Sequence, residues 1–250
     1  INRRKKKYPK DVVILHGVGR GPYCPSLSPF VLKVETYFRM NRIPYQLEPG
    51  FEMSSKGKIP WIEYNGEIIN DSSFIIQYFN KKLGIDLDRS LSPRERAIAR
   101  AFQKMSEENL LWGLALCRWV YKYESYKWMG IPWLLCKMVG RTVRKNAFGH
   151  GIGRHTQQEV LHIMEADIQA LSDFLGNKKF LMGDDPTEVD NSIFGILSQM
   201  MWHSVDQPGE MLIKGEKYPN LRDYCTRMKE LFWKDWNDCI THGGTREATR

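Results

Sequence analysis

A chain of 250 residues with 42% apolar content can bury the core of one large domain or two small ones. Of its net charge of +8, Arg3, Arg4, Lys5, Lys6, Lys7 and Lys10 supply six, leaving +2 for everything after a basic leader at residues 1–10. Five widely spaced cysteines (Cys24, Cys117, Cys136, Cys225, Cys239) without a CxxC or CxxH pair indicate neither a disulfide framework nor a zinc site, and fit a reducing, cytosol-facing environment. A membrane-spanning helix is excluded as well, because no run of 18 apolar residues occurs. The leader suits either a solvated lead-in or contact with acidic lipid. Its start at Ile1, directly before a basic run, is also what an anchor trimmed off upstream would leave.

Residues 12–15 are β-branched and apolar and run into Gly17, Gly19, Gly21 and Pro22, which predicts a strand and then a loop. Ser28-Pro29 predicts a helix start, with serine at the N-cap and proline in the first turn. Phe30, Val31, Val34, Tyr37 and Phe38 give that helix an amphipathic stripe. Residues 44–47 read as a second strand. Residues 61–69 read as a hairpin, because Asn65-Gly66 supplies the positive φ angles of a two-residue turn. A helix over 72–83 completes the order β-α-β-β-β-α. Residues 82–92 read as a linker, and beyond them helical periodicity dominates: 93–119, 132–146, 156–175, 187–202 and 220–233.

Several residues carry chemistry. Pro60 lacks an N–H and fits only the first residue or edge of a strand, so the turn before it leaves the backbone of Ile59 to a ligand. Asp71 and Ser72 put oxygens at a helix N-terminus, which suits capping and also capture of a small polar molecule. Ser28 offers a hydroxyl beside the positive end of a helix dipole, and there too the alternative is a plain cap.

These features resemble the glutathione-recognition half of a thioredoxin-like domain. The segment 27–36 (LSPFVLKVET), residues 57–63 (GKIPWIE), residues 150–155 (HGIGRH), residues 180–183 (FLMG) with 187–190 (TEVD), and residues 212–221 are similar to the failed axon connections family. That family includes the cadmium-responsive and metaxin-related proteins and belongs to the glutathione S-transferase superfamily. The resemblance implies an α+β two-domain fold: a thioredoxin-like domain at 11–84, an all-helical domain at 93–236 and a tail at 237–250. It also implies glutathione as co-substrate. The backbone of Ile59 beside Pro60 would then hold the cysteinyl part and Asp71 with Ser72 the γ-glutamyl end. Ser28 would stabilise the thiolate, which matters because a free thiol of pKa about 8.5 is mostly protonated at neutral pH. Cys24 is the alternative catalytic residue, forming a mixed disulfide with glutathione. Val31 stands where relatives often carry cysteine.

Two functions compete. One is a transferase conjugating glutathione to an apolar electrophile. The other is a non-catalytic interaction protein on the same fold, tethered to the cytosolic face of a membrane. Aromatics and lysines mixed through 118–139 read first as a helix–helix connection lining the apolar acceptor pocket and second as a membrane interface. Nucleic acid is not expected as a partner, whereas a homodimer is usual in this fold. Thr187 and Asp190 have capping-box spacing. His150 and His155 lack the further ligands of a metal site and read as a tight turn, with Arg154 turned toward an anion.

Overall fold

A computed structural model describes residues 8–121 and 126–250. The basic leader from Ile1 to Lys7, and Lys122 and Tyr123 of the aromatic-basic stretch, lie outside the described residues. The expected order β-α-β-β-β-α opens the fold: β1 Val13–Gly17, α1 Pro29–Met40, β2 Tyr45–Pro49, β3 Trp61–Tyr64, β4 Glu67–Asn70 and α2 Ser72–Leu83. The strands lie in the order β2-β1-β3-β4, with β1 parallel to β2 and antiparallel to β3. Asn65 (φ 49°) and Gly66 (φ 88°) turn β3 into β4 as the hairpin chemistry requires. Alternation sends Val13, Leu15, Ile62 and Tyr64 toward α1 and α2, where they pack with Val31, Val34, Phe38, Ile75, Ile76 and Phe79.

The stripe on α1 is amphipathic in sequence, yet residues 31–38 are all buried. Its polar face, with Lys33, Glu35 and Thr36, lies under the helical half of the protein, chiefly under α8, Glu188–Trp202. Gly195 permits this contact, since a Cβ there would stand 2.6 Å from the Pro29 carbonyl oxygen. The helices therefore approach through bare backbone.

The expected helix over 93–119 is a single rod with two π-helical turns. It runs through α3 Pro93–Lys104, a π turn at Met105–Leu110, α4 Leu111–Leu116 and a second π turn at Cys117–Tyr121. A π turn widens the helix by one residue, a shift that apolar periodicity does not reveal. α5 Tyr126–Met129, α6 Trp133–His150, α7 Gln157–Leu175, α9 Pro208–Lys214 and α10 Pro219–Phe232 follow around the nearly fully buried α8. α5 and α9 escape the periodicity because each spans two turns or fewer. Arg154 is exposed and held against Phe148. Its Nε donates to the Phe148 carbonyl oxygen at 3.3 Å, and its guanidinium lies 5.1 Å from the centre of the Phe148 ring.

The capping box at Thr187 reaches further than one helix end. One oxygen of Asp190 accepts from the Thr187 backbone N–H at 2.8 Å and from its hydroxyl at 3.0 Å. The other accepts from the Leu181 N–H and the Tyr224 hydroxyl, both at 3.0 Å. Replacing Asp190 with alanine orphans two buried backbone donors, and should destabilise the fold by about 3 kcal/mol or more in urea unfolding. Asp190→Asn, which keeps an acceptor, should recover part of that loss.

Candidate functional site

Strand directions bring three of the expected places to one end of the sheet. Because α1 crosses between the parallel strands β1 and β2, it begins above the C-terminal end of β1. β3 is antiparallel to β1, pairing Trp61 with His16, so it starts at that same end just after the cis Ile59-Pro60 peptide. β4 returns, pairing Asn70 with Trp61, and hands the chain to Asp71. Ser28, Ile59 and Asp71 are all half-buried there.

The local bonds distinguish the roles open to each. Ser28 Oγ accepts from the Val31 N–H at 3.4 Å, a long capping bond, and the Ser28 N–H donates to Ser26 Oγ at 3.2 Å. Asp71 (φ 80°) caps α2 through one oxygen, Oδ1, which accepts from Ser73 N–H at 2.9 Å and Phe74 N–H at 3.4 Å. Oδ2 lies outside these bonds. Ile59 precedes the β3–β4 ladder, whose first pairing is Trp61 with Asn70.

Ser72 is placed differently. It is buried, and its hydroxyl accepts from Lys33 Nζ at 3.4 Å. Lys33 is 1% exposed and also donates to Ser73 Oγ at 3.0 Å and to Glu107 Oε1 at 2.6 Å. The Ser192 hydroxyl (2.7 Å) and Gln103 Nε2 (3.3 Å) donate to the same carboxylate oxygen. Burial pushes the Glu107 carboxyl up, but the Lys33 ammonium and these hydrogen bonds outweigh it and hold the group below its ordinary range. The π turn that carries Glu107 thus connects with the starts of both α1 and α2. Sequence reasoning missed this network. Its one visible signal was a lysine between Leu32 and Val34, inside an otherwise apolar run.

Cys24 lies in the core, 0% exposed, with its Sγ accepting from Gln199 Nε2 at 3.3 Å. Burial pushes its thiol up to about 12, the opposite of what a nucleophilic cysteine needs. The segment leading to Ser28 is instead clamped from the helical half. Gln199 Nε2 donates to the Ser26 carbonyl oxygen at 2.9 Å, and Arg118 Nη1 to the Leu27 carbonyl oxygen at 3.3 Å. Arg118 also donates to the carbonyl oxygens of His203 (2.7 Å) and Gln199 (3.5 Å). Among the described residues it has no carboxylate partner, and burial lowers it to about 10. A guanidinium neutralised only by carbonyl dipoles therefore sits beneath the loop that presents Ser28.

The depressed Glu107 carboxyl gives a pH dependence. Its stabilising contribution is complete above the ordinary carboxylate pKa of about 4.3 and is lost as pH falls through the lower folded value. Glu107→Gln should therefore lower stability at neutral pH and flatten the acid limb of the stability curve, read by denaturant unfolding across pH. Lys33→Met alone strands a buried carboxylate and should cost about 3–5 kcal/mol. The double variant Lys33→Met/Glu107→Leu should lose less than that single change.

Comparison with known proteins agrees with this fold. Residues 29–124 match the glutathione S-transferase N-terminal domain family, and residues 164–228 match the glutathione S-transferase C-terminal domain family. The failed axon connections protein of Drosophila melanogaster is 33% identical over 96% of this chain, which spans 63% of that protein's length. The isoprene-epoxide–glutathione S-transferase of a Rhodococcus species is 33% identical over 83% of this chain and 94% of its own. Metaxin-2 of Mus musculus is 25% identical over 82% of each chain. Glutathione transferase F7 of Populus trichocarpa shares the fold, with a TM-score of 0.61 at 14% identity over 91% of this chain and 99% of its own. A thioredoxin-like sheet joined to an all-helical half, with this degree of likeness, places the chain in the glutathione S-transferase superfamily, within the metaxin-related family of the failed axon connections proteins.

Proposed function

We propose that the chain binds glutathione where the start of α1, the Ile59-Pro60 turn and the Asp71 corner meet, and conjugates it to an apolar electrophile. The observation that carries this reading is that the strand register brings Ser28, Ile59 and Asp71 to one end of the sheet. The Ile59 backbone is the partner for the cysteinyl amides, and Asp71 Oδ2 the acceptor for the γ-glutamyl ammonium. Ser72 acts through its backbone N–H, since its hydroxyl is engaged by Lys33. Ser28 donates its hydroxyl proton toward the glutathione sulfur, and the N-terminal dipole of α1 favours the anion there. The relative from Rhodococcus is named for an epoxide, which supports an epoxide as the electrophile class. The thiolate forms the S–C bond, the C–O bond of the ring opens, and the resulting alkoxide takes a proton from water.

Calorimetric titration of the purified chain with glutathione should give saturable binding, and a flat trace at millimolar ligand would reject the reading. Ser28→Ala should lower conjugation by about a hundredfold, the usual consequence of losing one donor to a developing anion, with affinity nearly unchanged. Asp71→Ala should weaken binding itself, and unchanged binding would make that residue a helix cap only.

A second reading has its own observation. α6 rests on small residues, with Cys136, Gly140 and Ala147 buried. It points Trp133, Leu134, Met138 and Phe148 outward, each more than half exposed. Lys137, Arg141, Arg144 and Lys145 share that exposed side, and the helix contains no acidic residue. An apolar face ringed by cations suits the surface of an anionic membrane, with rings at headgroup depth. Among the described residues no helix is long and apolar enough to cross a membrane, so this would be contact along the surface. Cosedimentation with phosphatidylserine vesicles should fall about tenfold or more in Trp133→Ser/Lys137→Glu, at about 1 kcal/mol per basic group near the surface. Unchanged binding would refute α6 as the contact.

A further inference from the structure

Arg118 carries a full charge where a full charge is costly. It is 3% exposed and reaches the residue before the N-cap of α1, so the partial positive charge of that helix end opposes it. Dipoles alone compensate it. Nη1 donates to the Leu27 carbonyl oxygen at 3.3 Å and to Gln199 Oε1 at 3.1 Å, and Nη2 to the carbonyl oxygens of His203 and Gln199. Nε has no acceptor among the described residues.

The ionisable groups around the guanidinium supply no counter-charge. Burial keeps the Cys24 thiol protonated at neutral pH. His203, at the C-terminal end of α8, is neutral, because burial first and Arg118 second push its imidazole well below the usual range. No carboxylate among the described residues pairs with Arg118. A cation buried in this way keeps its field, since neither water nor a counter-ion screens it.

That field reaches Ser28 by two routes. The Leu27 carbonyl and the Ser28 N–H belong to one planar peptide, which the guanidinium polarises at the N-cap. Through Oε1 it also orients Gln199, whose Nε2 then donates to the Ser26 carbonyl oxygen at 2.9 Å. Two carbonyls shortly before the helix are thereby drawn toward the helical half.

We infer that Arg118 is a positioning residue for the thiolate: its charge and the N-terminal dipole of α1 add at Ser28 and together select the anionic form of the glutathione sulfur. The inference rests on the glutathione reading above and deepens it, assigning to the helical half a share in activating the thiol. The proton that the thiol loses passes to water, and Arg118 forms no bond to the sulfur.

The test is the thiol pKa of bound glutathione, read from thiolate ultraviolet absorbance of the full chain with saturating glutathione, titrated over pH against the separated components. Arg118→Gln, which keeps an amide donor and loses the charge, should raise that pKa by about one unit. Arg118→Lys, which keeps the charge and loses the fork of donors, should reverse most of the rise. Conjugation by Arg118→Gln should be about tenfold slower on the acid side of the thiol pKa and close to the parent chain well above it. A chain merely loosened at the loop would be slower at every pH. A thiol pKa unmoved in Arg118→Gln, with glutathione still bound, overturns the inference and leaves the glutathione reading standing. A rise that Arg118→Lys fails to reverse overturns it too, because loop geometry rather than charge would then set the pKa. If Arg118→Gln does not fold, Gln199→Glu sets a carboxylate against the guanidinium and should give the same rise; no rise there overturns the inference. A parent chain that binds no glutathione removes both readings.

Discussion

A lysine ammonium without access to water must be compensated where it stands, and the organisation of this protein follows from how Lys33 is compensated. Its three partners come from two places: Ser72 and Ser73 at the start of α2, and Glu107 in the π turn after α3. A neutral residue at either end would leave a bare charge in the interior, a loss far larger than the net value of the pair. The interaction therefore acts less as glue than as a specification of register. α1 meets α2 and the long helical rod in an arrangement that gives the Lys33 ammonium all three partners. Gly195 allows it by letting α8 reach the backbone of α1, and the guanidinium of Arg39, bonded to Asp235 and lying over Trp233, repeats the logic at the other end of α1.

The two π turns belong to the same design. Each occurs where a long helix must aim a charged side chain inward: Glu107 in the first and Arg118 in the second. Both groups are buried and both act on the segments that flank the candidate site, one through Lys33 and one through the Leu27 carbonyl. The helical half supplies electrostatics to the sheet half as well as a packing surface. That division explains why Ser28, exposed enough to act, is preceded by Cys24 and Ser26, which are wholly buried.

Much of this fold was legible in the amino-acid order because its signals are local. Asn65-Gly66, Ser28-Pro29 and the Thr187–Asp190 spacing each determine a turn or a cap within a few residues, and the structure has each of them where expected. The candidate site was legible in part. Asp71 and Ser72 stand together in sequence, but only the packing of α1 shows that the Ser72 hydroxyl is already engaged by a lysine thirty-nine positions earlier. Cys24 was the alternative catalytic residue, and its burial among Gln199 and the core of the helical half comes from residues far along the chain. The π turns and the burial of the polar face of α1 were illegible for the same reason. They answer to long-range charge compensation, which leaves no periodic trace.

The hold of Arg118 and Gln199 on residues 24–27 bears on how such a molecule can change over time. The hydroxyl at the tip of α1 is delivered by a loop whose position is decided by side chains from the opposite half of the polypeptide. A sheet half transplanted onto a foreign helical partner would retain its strands and its proline corner, yet would inherit a loop with no anchor. The two halves are thus bound to a shared history, and divergence in one must be answered in the other before any chemistry at that tip can drift.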